Sequence, residues 1–120
     1  MRAILFRGKR KAGDYWICGD LRQWSEKRKG ILDYSLGGTA EVYPETVGQF
    51  TGKTVKNGKV FDGDICKSID GIFLVCWNDE KAAFVMRFLE YPFETLYLEE
   101  MWDDAEIIGN IHDNPELLEV

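Results

Sequence analysis

Two aspartates, Asp62 and Asp64, flank Gly63 in the stretch Phe61-Asp62-Gly63-Asp64-Ile65. On a regular strand, residues two apart share a face, so the two carboxylates would point the same way. A shared face of oxygen ligands suits a hard cation, but two carboxylates fall well short of a six-oxygen sphere. The ordinary reading is two solvent-facing aspartates beside a turn, with the glycine permitting a bulge at the entry to a strand. The other candidate chemistry is nucleophilic. Three cysteines (Cys18, Cys66, Cys76) and one histidine (His112) are present. A thiol enzyme would need a cysteine beside the histidine, partly exposed in a positive environment. Cys66 and Cys76 fall in apolar stretches that read as core, and His112 as an exposed turn. Cys18, nearest to basic residues, is the one reactivity candidate. Gly37-Gly38-Thr39 lacks the spacing of a phosphate-binding loop. Ser25, Ser35 and Ser68 lack nucleophile-elbow surroundings. No catalytic, cofactor-binding or metal-ligating residue is therefore assigned, and no cofactor is expected.

The strongest constellation is basic. Arg2, Arg7, Lys9, Arg10, Lys11, Arg22, Lys27, Arg28 and Lys29 interleave with Tyr15, Trp16 and Trp24. Basic side chains neutralise phosphates, and exposed aromatic rings stack on unpaired bases. The residues expected to meet a polyanion or a partner are Arg7, Lys9, Arg10, Lys11, Lys27, Arg28 and Lys29. The competing reading is that the loops are merely solvated and the rings belong to the core.

These residues need elements to position them. The chain has 120 residues and a formal charge of -6. Hydrophobic residues make up 45% and aromatics 13%, enough for one real core and too much for an acidic disordered chain. Residues 1–29 carry nine basic and three acidic residues, net +6; residues 30–120 carry six and eighteen, net -12. From Glu94 onward there are nine acidic residues and no Lys or Arg. That remainder would repel a nucleic-acid backbone passing nearby, although screening beyond about 8 Å softens the effect. An acidic end could instead meet the basic end of a second copy. An odd cysteine count without CxxC spacing points to a reducing cytosol. No apolar run reaches membrane-spanning length, and the N-terminal pattern does not fit a signal peptide.

Residues 3–21 read as a hairpin with a basic loop. Residues 23–30 read as an exposed loop or one helical turn, and Ile31 to Leu36 as a short strand. Glu41 to Tyr43 is extended before Pro44, and residues 46–51 have β-type composition. Asn57-Gly58 and Asp70-Gly71 suit two-residue turns of type I′. Ile65 to Ile69 and Ile72 to Trp77 are strands, and Ala82 to Leu89 is expected as a third meander strand. Phe93, Leu96, Tyr97 and Met101 have helix-like spacing, which predicts a short helix over residues 93–102. Ile107 to Ile111 is a strand, and Asn114-Pro115 opens a closing helical turn. Many short strands with Gly, Asp and Asn between them predict a mainly β, barrel-like antiparallel domain. No linker divides it, so residues 1–120 are expected as a single domain.

Three stretches together carry a resemblance. They are Ile4-Leu5-Phe6-Arg7-Gly8-Lys9-Arg10; Val42-Tyr43-Pro44-Glu45-Thr46-Val47-Gly48-Gln49-Phe50-Thr51-Gly52, continued by Asn57-Gly58-Lys59-Val60-Phe61-Asp62-Gly63-Asp64-Ile65; and Glu106-Ile107-Ile108-Gly109-Asn110-Ile111-His112-Asp113-Asn114-Pro115-Glu116-Leu117-Leu118. In this order the chain resembles the YopX family of small proteins encoded by bacteriophages and prophages. The chain departs from the family's pattern at Lys53 to Lys56 and at His112, both beside turns. The resemblance implies a mainly β fold and a phage or prophage gene product in a bacterial host. It implies no activity and no site residues. The expectation is a non-enzymatic accessory protein in the cytoplasm, with no membrane partner. It would act as a self-assembling homo-oligomer or on a host or phage protein. The alternative is nucleic-acid binding through the basic N-terminal hairpin.

Overall fold

The computed structural model describes residues 4–33, 35–90, 95–101 and 103–119. It divides into two units, Met1–Phe50 and Thr51–Val120. The boundary falls inside one strand.

The first unit holds β1 (Phe6–Lys9), β2 (Trp16–Ser25), β3 (Arg28–Asp33), β4 (Gly38–Val42) and the start of β5 (Gly48–Val55), in the order β4-β3-β2-β1-β5. The expected basic hairpin is β1 and β2, with Phe6 opposite Gly19 and Lys9 opposite Trp16. Its loop turns through Gly13 and Asp14, both at positive φ, a region open to glycine and tolerated by aspartate. The segment expected as a loop or helical turn at residues 23–30 is instead a second hairpin. β2 runs on to Ser25 and pairs with β3 from Arg28, with a bulge between Gln23 and Ser25. The polar composition misleads there because this end of the hairpin is solvated: residues 22–28 are all exposed. A strand that is not half-buried shows no apolar alternation.

The inward positions are apolar. Ile17, Ile31 and Val42 are buried, with Phe6, Leu21, Ala40 and Val47 packed against them. Gly8 completes this layer by having no side chain. A Cβ there would lie 2.9–3.1 Å from all three branch carbons of Val42. At the far end the first and fourth strands touch. Arg10 bridges Val42, Lys11 N–H donates to Glu41 O at 3.0 Å, and Tyr43 N–H donates to Lys9 O at 2.9 Å. This contact does not close a barrel, because the edge of β1 is taken by β5 at Phe6–Gln49 and Arg7–Gly48.

In the second unit β6 (Gly58–Phe61) lies beside β5, and Thr51 Oγ1 donates to Val60 O at 2.8 Å. Next come β7 (Asp64–Ser68), β8 (Gly71–Asn78), β9 (Ala83–Phe88), β10 (Thr95–Tyr97) and β11 (Glu106–Asn110). These last five form an open antiparallel sheet ordered β10-β9-β8-β7-β11. The expected meander through β9 is present. Its core is Val60, Cys66, Phe73, Val75, Met86, Phe88, Leu98 and Ala105. Phe73 and Phe88 face each other across β8 and β9 with ring centroids 5.0 Å apart, a favourable aromatic separation.

The mainly β expectation holds, but both sheets are open instead of barrel-like. The helix expected over residues 93–102 is absent where the segment is described. Thr95–Tyr97 is a strand paired with β9, and Leu98–Glu100 is a single 3-10 turn. The edge of β9 takes up the backbone hydrogen bonds, overriding the side-chain spacing. Residues 93–94 and 102 of that prediction lie outside the described residues, as do Ala3 of the first hairpin and Arg2. The two expected type I′ turns are displaced by one residue. The turn residues are Lys56-Asn57 and Ile69-Asp70, and Gly58 (φ 147) and Gly71 (φ 123) open the following strands. Pro115–Leu118 is the expected closing turn, but Asn114 does not cap it. Its Oδ1 accepts instead from Asn110 N–H at 3.2 Å.

Candidate functional site

The basic residues sort by position. β1 and β2 alternate, so Arg7, Lys9, Trp16 and Cys18 share the outward face of the first unit's sheet. The Arg7 guanidinium lies 4.9 Å from the centroid of the Trp16 ring, both groups half-buried. Lys9 is half-buried as well, and its backbone N–H donates to Thr46 Oγ1 at 2.9 Å. In the first loop Arg10 stacks 5.2 Å from the Tyr15 centroid and donates to the Tyr15 hydroxyl. In the second hairpin Arg28 stacks 5.2 Å from the Trp24 centroid. Trp24 in turn covers Gly30, where a Cβ would come within 2.7 Å of the indole Cη2. Trp24 is 53% exposed and Tyr15 42%. These two rings are therefore not core residues, whereas Trp16 is partly so.

One carboxylate ties the two hairpins together. Glu41 on β4 lies opposite Gly30. It receives Lys11 Nζ at 3.0 Å on Oε2 and Arg28 Nη2 at 3.0 Å on Oε1, with Arg28 Nε at 3.4 Å from Oε2. The two-pronged Arg28 contact is the geometry that suits a guanidinium to a carboxylate. Hydrogen bonds from Arg28 and then Lys11 hold the Glu41 carboxyl down to about 2. The same contact with Glu41 raises Arg28 above its ordinary value. Nearby, the Tyr43 hydroxyl donates to Asp14 Oδ1 at 3.0 Å, which pushes the phenol up. So Lys11 and Arg28, from segments 17 residues apart in sequence, are brought onto one anchor.

Not all seven expected residues gather there. Lys27 is exposed at the tip of the second hairpin, its backbone N–H donating to Ser25 Oγ at 3.2 Å. Lys29 falls on the side of Ile31, away from Trp24, because the two are neighbours in alternation on β3. There it lines a shallow groove of about 490 Å³ with Glu26, Lys27, Pro44 and Glu45, a mixed-charge surface. Glu41 itself escaped the sequence reading. A lone acid in a short strand gives no signal, and its role depends on the β3–β4 register.

The nucleophile and metal candidates fare differently. Asp64 is 1% exposed, not solvent-facing as expected. Its Oδ2 accepts the Phe61 N–H at 2.7 Å across the Asp62-Gly63 turn, so it braces the turn between β6 and β7. Asp62 is half-buried beside it. Among the described residues no group of three or more His, Cys, Asp or Glu is placed to hold a metal ion. Cys66 is buried in the second core. Burial pushes the Cys76 thiol up; Arg87 opposes that shift and Asp62 adds to it. Cys18 is exposed, opposite Arg7. His112 is half-buried in the turn after β11, and its backbone N–H donates to Asn110 Oδ1 at 3.0 Å. Among the described residues no helix is long and apolar enough to cross a membrane.

The comparisons with known proteins bear on family alone. No curated protein matches the chain. The family model described as YopX protein matches residues 5–119, which takes in the three stretches quoted above except for Ile4 and covers both units. The chain belongs to the YopX family.

Proposed function

We propose that this protein is a non-enzymatic interaction module, an accessory protein of a phage or prophage working in the bacterial cytoplasm. Its contact surface is the basic, aromatic end of the first unit's two hairpins. The observation that carries this reading is the Glu41 anchor, which gathers cations from two hairpins beside exposed Tyr15 and Trp24. Charge supports it. The first unit has nine basic and six acidic residues, net +3; the second has six and fifteen, net -9. The boundary between the units therefore divides the chain by sign, and a positive surface steers acidic partners toward itself. A second copy, offering its own acidic unit, is one such partner. The cysteines suit packing better than catalysis, since Cys66 is buried and Cys76 is held toward its neutral thiol.

The reading is tested with anionic probes and with mass. At low salt the protein should be retained on immobilised poly-glutamate or oligonucleotide, or show a light-scattering mass above 13.8 kDa. Arg22→Glu with Lys27→Glu, both exposed and outside the Glu41 anchor, should weaken whichever is seen. A monomer that passes through every anionic matrix would sink the proposal.

A further inference from the structure

We infer that the ligand of this surface is single-stranded nucleic acid, an inference that rests on the basic end of the hairpins being the working surface. The structure sets a guanidinium against an exposed aromatic ring twice: half-buried Arg10 on Tyr15 and exposed Arg28 on Trp24. A third pair, Arg7 on Trp16, lies half-buried on the sheet face. A strand of unpaired nucleotides alternates a flat π surface with an anionic phosphate. Its bases stack on Tyr, Trp and guanidinium planes, and its phosphates take the cations. Each of these two pairs offers both halves of that repeat. An acidic protein surface would use the cations and leave the two ring faces without a matching group.

The unstacked form of nucleic acid is favoured over duplex. The rings stand on hairpins, and a ring can stack on a base only after that base has left its pair. The cations remain usable although Glu41 holds two of them. Arg28 gives two N–H groups to Glu41, out of the five a guanidinium carries. Lys11 gives one bond to the same carboxylate, out of three donors. Glu41 thus orients the cations, while Arg10 and Lys27 carry no carboxylate partner among the described ion pairs.

The test is fluorescence anisotropy of a labelled oligothymidine about fifteen nucleotides long, spanning the footprint of a small single-strand binder. The comparison probes are a duplex of equal length and poly-glutamate. Oligothymidine should bind more tightly than the duplex, with log affinity falling against log salt by about 0.7 per phosphate neutralised. Trp24→Ala should weaken binding about 5- to 150-fold, the loss expected for one stacked base. Trp24→Phe should keep most of the affinity, which separates stacking from a folding defect, and the melting curve of each variant is compared with the parent. Equal binding of duplex, with Trp24→Ala unchanged, would overturn the inference in favour of simple charge attraction. Retention of poly-glutamate alone would overturn it and leave the surface reading standing. Binding of none of the three probes by a monomer would overturn both.

Discussion

Gly8 and Val42 offer a way to test whether the first unit is packed as described. Val42 is fully buried in that core, and it sits at the bridge where β1 and β4 touch, one residue from Glu41. Val42→Ala removes two methyl groups, worth about 1.6 kcal/mol in transfer alone. The space left behind raises the cost to about 2–3 kcal/mol. Gly8→Ala does the reverse. Its Cβ would stand 2.9 Å from one Val42 methyl and 3.1 Å from the other, and overpacking of this kind costs about 1–3 kcal/mol. In the double variant the new methyl occupies the volume the valine vacated. The remaining Val42 Cβ still lies 3.0 Å away, so the rescue is partial. The two costs should then fall short of adding by about 1 kcal/mol or more, the size of coupling seen between touching residues. The assay is urea unfolding of the parent, both single variants and the double, compared at constant denaturant slope. Additivity within about 0.3–0.5 kcal/mol would refute the claim that Gly8 exists to seat Val42.

Three further outcomes are expected. The Glu41 carboxyl, read by carbon-13 NMR, should titrate near 2, far below the ordinary 4.5. Because its folded value is depressed, the contribution of the anchor is complete above about 4.5 and lost as pH falls toward 2. A midpoint in the ordinary glutamate range would show that Lys11 and Arg28 do not hold it. Asn57→Ala should destabilise by about 1–2 kcal/mol in thermal melts. Its side-chain amide donates to Ile107 O at 2.8 Å and accepts from Ile107 N–H at 2.9 Å, a strand-like pair at the bulge of β11. An unchanged melt would remove Asn57 from the support of that strand. In native protein at neutral pH a thiol reagent, followed by mass spectrometry, should label exposed Cys18 first. Half-buried Cys76 should come later, and Cys66 only on unfolding.

The sequence made the strands visible wherever one face is buried. Ile65 to Ile69 and Ile72 to Trp77 show apolar runs because β7 and β8 pack into the second core. The second hairpin was hidden, because Arg22 to Arg28 are solvated and carry no alternation. The turn signals are legible in the sequence but point one residue beyond the turns themselves. Asn57 is not at positive φ, and its side chain is engaged with Ile107, 50 positions on. Such a long-range pair cannot be read from turn chemistry. The burial of Asp64 is illegible for the same reason, because it depends on the turn the side chain braces. At the candidate surface the cations and rings were legible by type. Their convergence was not, because it rests on the Gly30–Glu41 register and on the Arg10–Val42 bridge.

Trp24 and Trp77 provide the most direct test of single-strand binding at the working surface. They are exposed to similar degrees, 53% and 48%, but Trp24 lies in the positive unit and Trp77 in the negative one. In nitrogen-15-labelled protein their indole N–H signals report on each unit separately, the Trp77 proton being held by Asp79 Oδ1 at 2.8 Å. On titration with single-stranded oligothymidine at low salt, the Trp24 indole and the amides of Arg10, Lys11 and Arg28 should shift saturably while Trp77 stays in place. Shifts centred on Trp77, or none at Trp24, would contradict the account.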